Sequence, residues 1–228
     1  MDSFRDRFGD VPRGLSGAGT LEETMQYAVE AATQLIAGCE CSEISVVENK
    51  KSFVTIATTS DAVRRSAEMQ RELNEGPILD ALGDSEIIYV ADLSDDERWP
   101  VWGPKTYDLE LRSMIGIQLY VGERTYGTMS FYSEEVDGFS PTDRDAAYVF
   151  ASQVSAAIAS VKNTENLQAA LANRLVIGQA QGRLMQRFGV TADQSFAILT
   201  RASQDRNRKL VDICRAIVVS GPEATFGE

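Results

Sequence analysis

Apolar positions along the chain recur first at helical spacing, then in short strand-like runs, then again at helical spacing. Met25, Ala28, Val29, Ala32 and Ile36 form a stripe that predicts a helix over 21–37, and Thr20 with Glu23 fits a capping box at its start. Ile44, Val46 and Val47, then Phe53, Thr55, Ile56 and Ala57, read as two strands joined by a turn at 48–51. A helical stretch with alternating charge spans 62–73, followed by EGPILDAL and a strand in EIIYVADL. An acidic segment holding both tryptophans precedes two further strands, 113–121 and 126–133, with a turn at 122–125. Ser140 as cap and Pro141 at the first helical position then open a long helix. This order predicts an α+β domain, an antiparallel sheet flanked by helices. Residues 1–19 read as a flexible segment, because the glycines of GLSGAG have neither dinucleotide nor phosphate-loop spacing.

Between Ser140 and Phe188 the only proline is Pro141, and no glycine falls between Gly138 and Gly178. One continuous helix there would run about 70 Å. Val154, Ile158 and Val161 form one apolar seam, and Leu167, Leu171 and Leu175 form another. The polar run at 162–166 interrupts them, and they share no heptad register. A short helical dimer contact with a change of register or a break near residue 163 fits better than a long coiled coil. The first seam can alternatively pack on its own sheet.

The tail continues as three helices with almost no loop. Gly189 stops the first, Thr191 and Gln194 form a capping box for the second, and Asn207 is a candidate cap for the third. On the first helix Ile177, Leu184 and Phe188 make the expected core stripe, with Arg183 and Arg187 on the opposite, solvated face. Arg174, Gln181 and Met185 lie at the stripe's edge. Gly178 and Gly182, one turn apart, call for a close approach by another backbone or by a ligand. Phe196, Leu199 and Ala202 give the middle helix its stripe, and Leu210, Ile213, Cys214 and Ile217 the last.

Charge separates the two regions. Of 22 Lys and Arg and 34 Asp and Glu, eight basic and six acidic residues lie after residue 163, so the tail is +2 (8 − 6) and the rest −14 (14 − 28). A basic helical module on an acidic body points to a polyanion partner. The chain contains no histidine, which removes the usual general base, a His-ligated haem and the commonest zinc chemistry. The expectation is a protein without catalytic activity. Three cysteines without CxxC spacing argue against a disulfide framework or zinc site. No apolar run reaches membrane-span length, and MDSFRDRFGD lacks a signal core, so the expected location is the cytoplasm.

The words NRLVIGQAQGRLMQRFGV, FAILTRASQDRNRKL and ICRAIVV resemble the ANTAR domain over roughly 164–220. That resemblance implies an all-α three-helix bundle that binds paired RNA hairpins and prevents premature transcription termination. The family usually has Ala-Lys-Gly where this chain has Ala180-Gln181-Gly182, so one possible phosphate contact is lost. NEGPILDAL, IYVADLSDDERWP, LRSMIGIQLYVGERTYGTMSFYS and FSPTDRDAAYVFASQVSAAI resemble a GAF domain over about 20–160. That family binds cyclic nucleotides, tetrapyrroles, other small metabolites or nothing, so fold does not name a ligand. The expected organisation is a flexible segment at 1–19, a GAF-like sensor at 20–160, a helical connector at 161–166, an ANTAR-like domain at 167–220 and a short tail at 221–228.

The candidate RNA-binding residues are Arg174, Gln181, Arg183, Arg201, Arg208 and Lys209. Arg201, Arg206, Arg208 and Lys209 surround the turn between the last two helices; phosphate neutralisation would use such a cluster, although charge alone favours a solvated turn with helix-capping and ion-pair roles involving Asp205 and Asp212, and the family resemblance reverses that preference for the cluster as a whole. The bundle has no Tyr, Trp or His, and Phe188 and Phe196 are expected to be buried, which leaves arginine planes for any base stacking. For the sensor, Trp99 and Trp102 could stack on a flat ligand, with Tyr89 and Phe131 as further pocket candidates; packing of the loop onto the sheet is the plain alternative. No metal or cofactor is assigned, and haem is disfavoured. Expected partners are tandem-hairpin RNA, a small molecule in the sensor, and a second copy joined through the connecting helix. A protein-interaction module and a DNA-binding helix-turn-helix regulator are the rival readings.

Overall fold

The structure, a computed structural model, describes residues 9–49, 52–81, 86–122 and 124–222. It divides into two compact units, one through Lys162 and one from Asn163.

The first unit begins with α1, Val11–Gly17, then α2, Leu21–Leu35. Where a flexible segment was expected at 1–19, residues 11–17 form a helix, and residues 1–8 lie outside the described residues: Val11 and Leu15 are buried in the main core, and Gly14 carries no side chain where the ring of Tyr27 lies. Glycine here makes room for packing, which composition alone reads as a linker. The capping box at Thr20 forms in both directions, Glu23 N–H to Thr20 Oγ1 at 3.2 Å and Thr20 N–H to Glu23 Oε2 at 2.9 Å. α2 stops two residues before the expected end, at Leu35.

Five strands make one antiparallel sheet: β1 Cys41–Asn49, β2 Ser52–Thr58, β3 Ile87–Val90, β4 Ser113–Val121 and β5 Arg124–Ser133. Their order across the sheet is β2-β1-β5-β4-β3. Of the expected turn at 48–51, residues 50 and 51 lie outside the described residues, as does residue 123 of the turn at 122–125. β5 starts two residues earlier than expected.

Alternation sends side chains to two faces. On one face Ile44, Ile115, Ile117, Leu119, Met129 and Phe131 pack against α1, α2 and the first part of the long helix α6, Pro141–Phe188. Val154 and Ile158 of α6 are buried in that core, so the first seam packs on its own sheet. The other face is covered by α3, Asp61–Leu73, α4, Pro77–Ala81, and α5, Trp102–Tyr107. A register shift between Ile44 and Ser45 re-phases β2, so Ala57 packs in the first core while Phe53 joins the α3 side.

In the second unit α6 ends at Phe188, with Gly189 at φ +66 directly after it. α7, Ala192–Asp205, and α8, Leu210–Ser220, complete a three-helix bundle. Its core is Ala180, Leu184, Leu199, Ala202, Ile213, Cys214 and Ile217. Among the described residues no helix is long and apolar enough to cross a membrane.

Candidate functional site

The bundle's termini are set by local chemistry. The Thr191 capping box forms with Gln194, as the sequence predicts. Asn207 does not cap α8: Lys209 is the N-cap, and Asn207 sits at φ +48 just past α7. The Arg208 N–H reaches the Ser203 carbonyl at 3.1 Å and the Asn207 N–H reaches Gln204 at 3.1 Å, the paired bonds of a Schellman ending. The Ser203 hydroxyl donates to the Arg208 carbonyl at 2.6 Å. Asparagine tolerates the left-handed conformation, which explains its presence better than a capping role. The tight ending holds Arg206, Arg208 and Lys209, all exposed, on one corner. Arg201, a turn earlier, is exposed and pairs with Asp205 at 3.7 Å. A groove of about 260 Å³ runs between Ile198, Arg201, Ala202, Asp205 and Arg206.

The other three candidates lie elsewhere. Gln181 Nε2 donates to the Ala192 carbonyl at 3.1 Å, at the opposite end of α7 from the basic corner. The two ends are separated by about 20 Å of helix. Gln181 therefore ties α6 to α7. Arg183, exposed as expected, donates to the Ile217 carbonyl at 3.2 Å, near the end of α8. The core stripe of α6 keeps the expected Leu184 and Ile177 and adds Ala180, which brings Arg183 to its border, while Phe188 falls outside it. Arg183, Gln186 and Arg187 with Gly221 and Pro222 line a second open concavity of about 520 Å³. Arg174 is exposed on α6.

Two expectations about the apolar residues are corrected. Phe188 and Phe196 are not buried: they are 51% and 46% exposed. Buried Ser195 takes the core position with Leu199 and Ala202, and Phe196 falls one residue out of phase. Arg187 lies over the Phe188 ring at 5.9 Å. Among the described residues nothing approaches Gly178 or Gly182 within 4 Å of where a side chain would start, so no close helix packing among them explains these glycines. Leu167, Leu171 and Leu175 stand 66%, 68% and 64% exposed along the same helix.

The four sensor-pocket candidates do not share a pocket. Trp99 and Trp102 are buried in the core beneath α3 and meet edge to face at 5.6 Å. Trp99 Nε1 donates to Asp80 Oδ2 at 2.9 Å and Trp102 Nε1 to the Ser66 carbonyl at 3.0 Å. Glu75 accepts the Val101 and Trp102 N–H groups, both at 2.8 Å, fixing the start of α5. The loop is thus packed inward. Phe131 is buried on the opposite side of the sheet, and Tyr89 packs there too, with its hydroxyl on Asp137 Oδ1. The acidic loop is self-contained: Asp92 accepts from Ser94, and Asp96 from Arg98, whose side-chain hydrogen bond holds the Asp96 carboxyl below its usual range. Among the described residues no group of side chains could hold a metal ion. Burial pushes the thiols of Cys39 and Cys41 up, away from a reactive thiolate.

The α3 side of the sheet holds what the sequence reading missed. At its centre sits Glu43, fully buried, within 3.3 Å of the Thr55 hydroxyl and 3.4 Å of those of Ser45 and Tyr132. Desolvation pushes its carboxyl up to about 8, so it is protonated at neutral pH. The alternation of EISV in β1 (43–46) and TMSF in β5 (128–131) carried the signal: polar residues at every second position, in strands covered on both faces.

A five-stranded antiparallel sheet covered on both sides, followed by a basic three-helix bundle, defines a two-domain protein of the α+β and all-α type. The chain belongs to the GAF domain family, whose model matches residues 18–159, and carries an ANTAR domain at residues 165–218. No curated protein matches it. Solved structures share the fold. The GAF domain of the Acinetobacter phosphoenolpyruvate-protein phosphotransferase is 14% identical with a TM-score of 0.56, over 73% of this chain and 99% of that one. The GAF domain of the Coxiella burnetii phosphoenolpyruvate-protein phosphotransferase is 12% identical with a TM-score of 0.54, over 72% and 96%. The Stigmatella aurantiaca phytochrome photosensory core module is 12% identical with a TM-score of 0.59, over 88% of this chain and 44% of that one. The chain therefore spans less than half of that phytochrome chain.

Proposed function

We propose that this protein is a signal-responsive antitermination regulator without catalytic activity. Its ANTAR bundle binds paired RNA hairpins, and its GAF domain controls that binding from the cytoplasm. The observation that carries this reading is the ANTAR match on a bundle whose basic corner, Arg201, Arg208 and Lys209, is held exposed by a Schellman turn. Phosphates would sit on that corner and on Arg174. Phe188 and Phe196 add exposed aromatic faces, the feature that single-stranded loops require. Gln181 holds two helices together instead of meeting a phosphate. Leu167, Leu171 and Leu175 offer the seam for a homodimer, and two copies would match two hairpins.

The test is binding of the full chain to a tandem-hairpin RNA, to one hairpin and to duplex DNA across a salt series. Preference for the tandem RNA, lost when Arg201, Arg208 and Lys209 are all replaced by Ala, is the expected result. Absence of any RNA binding at low salt returns the bundle to a protein-interaction role, and a duplex preference makes it a DNA reader.

A further inference from the structure

Between residues 167 and 220 the chain carries three acidic residues, Asp193, Asp205 and Asp212. Helix energetics account for two of them. Asp193 lies in the first turn of α7 and Asp212 in the first turn of α8, where the helix dipole favours a negative charge. Asp212 also pairs with Arg215 at 3.3 Å. Asp205 is the exception. It is the last residue of α7, where the dipole opposes a carboxylate. Its ion pair with Arg201 has the base N-terminal to the acid, the weaker order along a helix. That pair is also long, 3.7 Å, and joins two exposed side chains, so it stabilises little. Finally, Asp205 adjoins Arg206, Arg208 and Lys209, where a negative charge repels phosphate. Neither helix stability nor phosphate binding explains it.

Asp205 does complete the groove at the basic corner. Ile198, Arg201, Ala202 and Asp205 fall on one face of α7, at i, i+3, i+4 and i+7, and Arg206 follows at the helix end. Half-buried Ile198 and buried Ala202 give the groove an apolar floor. Its volume of about 260 Å³ suits one flat ring system. Arg201 and Arg206 supply guanidinium planes that can stack on such a ring. The lining also selects by charge. A phosphate in the groove would meet the Asp205 carboxylate and the carbonyl end of α7. A flat, neutral group with hydrogen-bond donors would not. A carboxylate has two oxygens that accept and nothing that donates, so it matches two donors side by side. Among the RNA bases only guanine presents such a pair on its Watson–Crick edge, N1–H and the N2 amino group. Adenine and cytosine set an amino group beside an acceptor nitrogen, and the one N–H of uracil lies between two carbonyls.

We propose that this groove receives one unstacked guanine of a bound RNA loop, and that Asp205 reads it through N1–H and the N2 amino group. Arg201 gives up its long pair with Asp205 to cover the base, and Arg208 and Lys209 hold the flanking phosphates. This inference rests on the RNA binding proposed above and names the base that the basic corner reads.

The test presents the full chain with a pool of tandem hairpins whose loop positions are randomised, and sequences the RNAs retained. The wild type should enrich guanine at one loop position, and Asp205→Asn should lose that enrichment. The best retained RNA is then titrated with both proteins, carrying at that position either guanine or inosine, which lacks the N2 amino group. Inosine should weaken wild-type binding by about tenfold or more and leave Asp205→Asn unaffected. Asp205→Asn should bind the guanine RNA about tenfold or more weakly than wild type, yet melt no earlier by circular dichroism, because the dipole no longer opposes a charge there. A carboxylate that acts through charge alone gives the opposite sign: its removal tightens binding to every RNA and keeps the base preference. That result would overturn the proposal. So would inosine RNA bound by the wild type as tightly as its guanine parent, a measurement that needs no variant to fold. RNA retained without any guanine preference sinks this inference alone, whereas a pool from which nothing is retained sinks the RNA-binding reading with it.

Discussion

Glu43 carries the sharpest consequence of a single residue's placement. Its carboxyl is raised from 4.5 to about 8 by burial, so folding takes up a proton across that interval. The folded state then binds more protons than the unfolded one, and stability falls as pH rises from about 4.5 to 8, flattening above. Tyr132, Thr55 and Ser45 face the same carboxyl, and Arg64 opposes the shift weakly. Glu43→Gln keeps the shape and the neutral charge. It should remove most of that slope and make the first unit more stable than wild type at pH 8. Urea unfolding of both proteins at pH 5.5 and 8, followed by tryptophan fluorescence, checks this, and parallel slopes would mean that Glu43 ionises without penalty. Residues of this kind were hidden in the sequence, because an acidic residue in a strand usually faces water. Only the sheet's second cover, α3 to α5, makes this one internal. The tryptophans show the converse: a polar, Pro-punctuated loop looks like a lid, but their indole N–H groups find Asp80 and Ser66 inside the fold.

Elements were more legible than their faces. Both capping boxes, the Ser140-Pro141 start and the Gly189 stop follow from local hydrogen-bonding needs that operate over four residues, and sequence shows them directly. Which way an apolar stripe turns depends on partners far along the chain, and here an offset of one residue mattered twice. It put Ser195 inside and Phe196 outside, and on α6 it brought Ala180 into the core beside Ile177 and Leu184 and left Phe188 out. The long helix also carries features that no contact among the described residues accounts for. Gly178 and Gly182 lie open in a helix interior, where alanine is favoured by about 1 kcal/mol per site. Gly178→Ala with Gly182→Ala should therefore stabilise the second unit, as circular dichroism melting would show, while weakening whatever approaches that face. If RNA affinity and oligomeric state both survive, nothing approaches it. The leucine stripe makes the separate prediction: replacing Leu167, Leu171 and Leu175 together by Asn should leave helicity intact and convert the protein to a monomer by sedimentation. A sedimentation profile unchanged from wild type would rule out this seam.

At the scale of the whole molecule the charge distribution sets the terms of RNA binding. The first 163 residues carry −14 and the remainder +2, so the chain as a whole, at −12, repels a polyanion except at the tail. Affinity must then come from a few local cations and from contacts that do not depend on salt. The two sources separate experimentally, because each phosphate contact contributes a slope of about −0.7 to −0.9 in log K against log salt, whereas stacking contributes almost none. Replacing Arg201, Arg208 and Lys209 by Ala should flatten the slope by roughly 2 to 3 while lowering affinity most at low salt. Phe196→Ala should lower affinity by about 1–3 kcal/mol per stacked base at every salt concentration and leave the slope unchanged. If instead both variants flatten the slope, Phe196 acts only by placing the basic corner. If neither variant changes the slope or affinity, RNA does not use this face of the bundle. The outcome decides whether the exposed phenylalanines read loops or merely mark a surface that another protein covers.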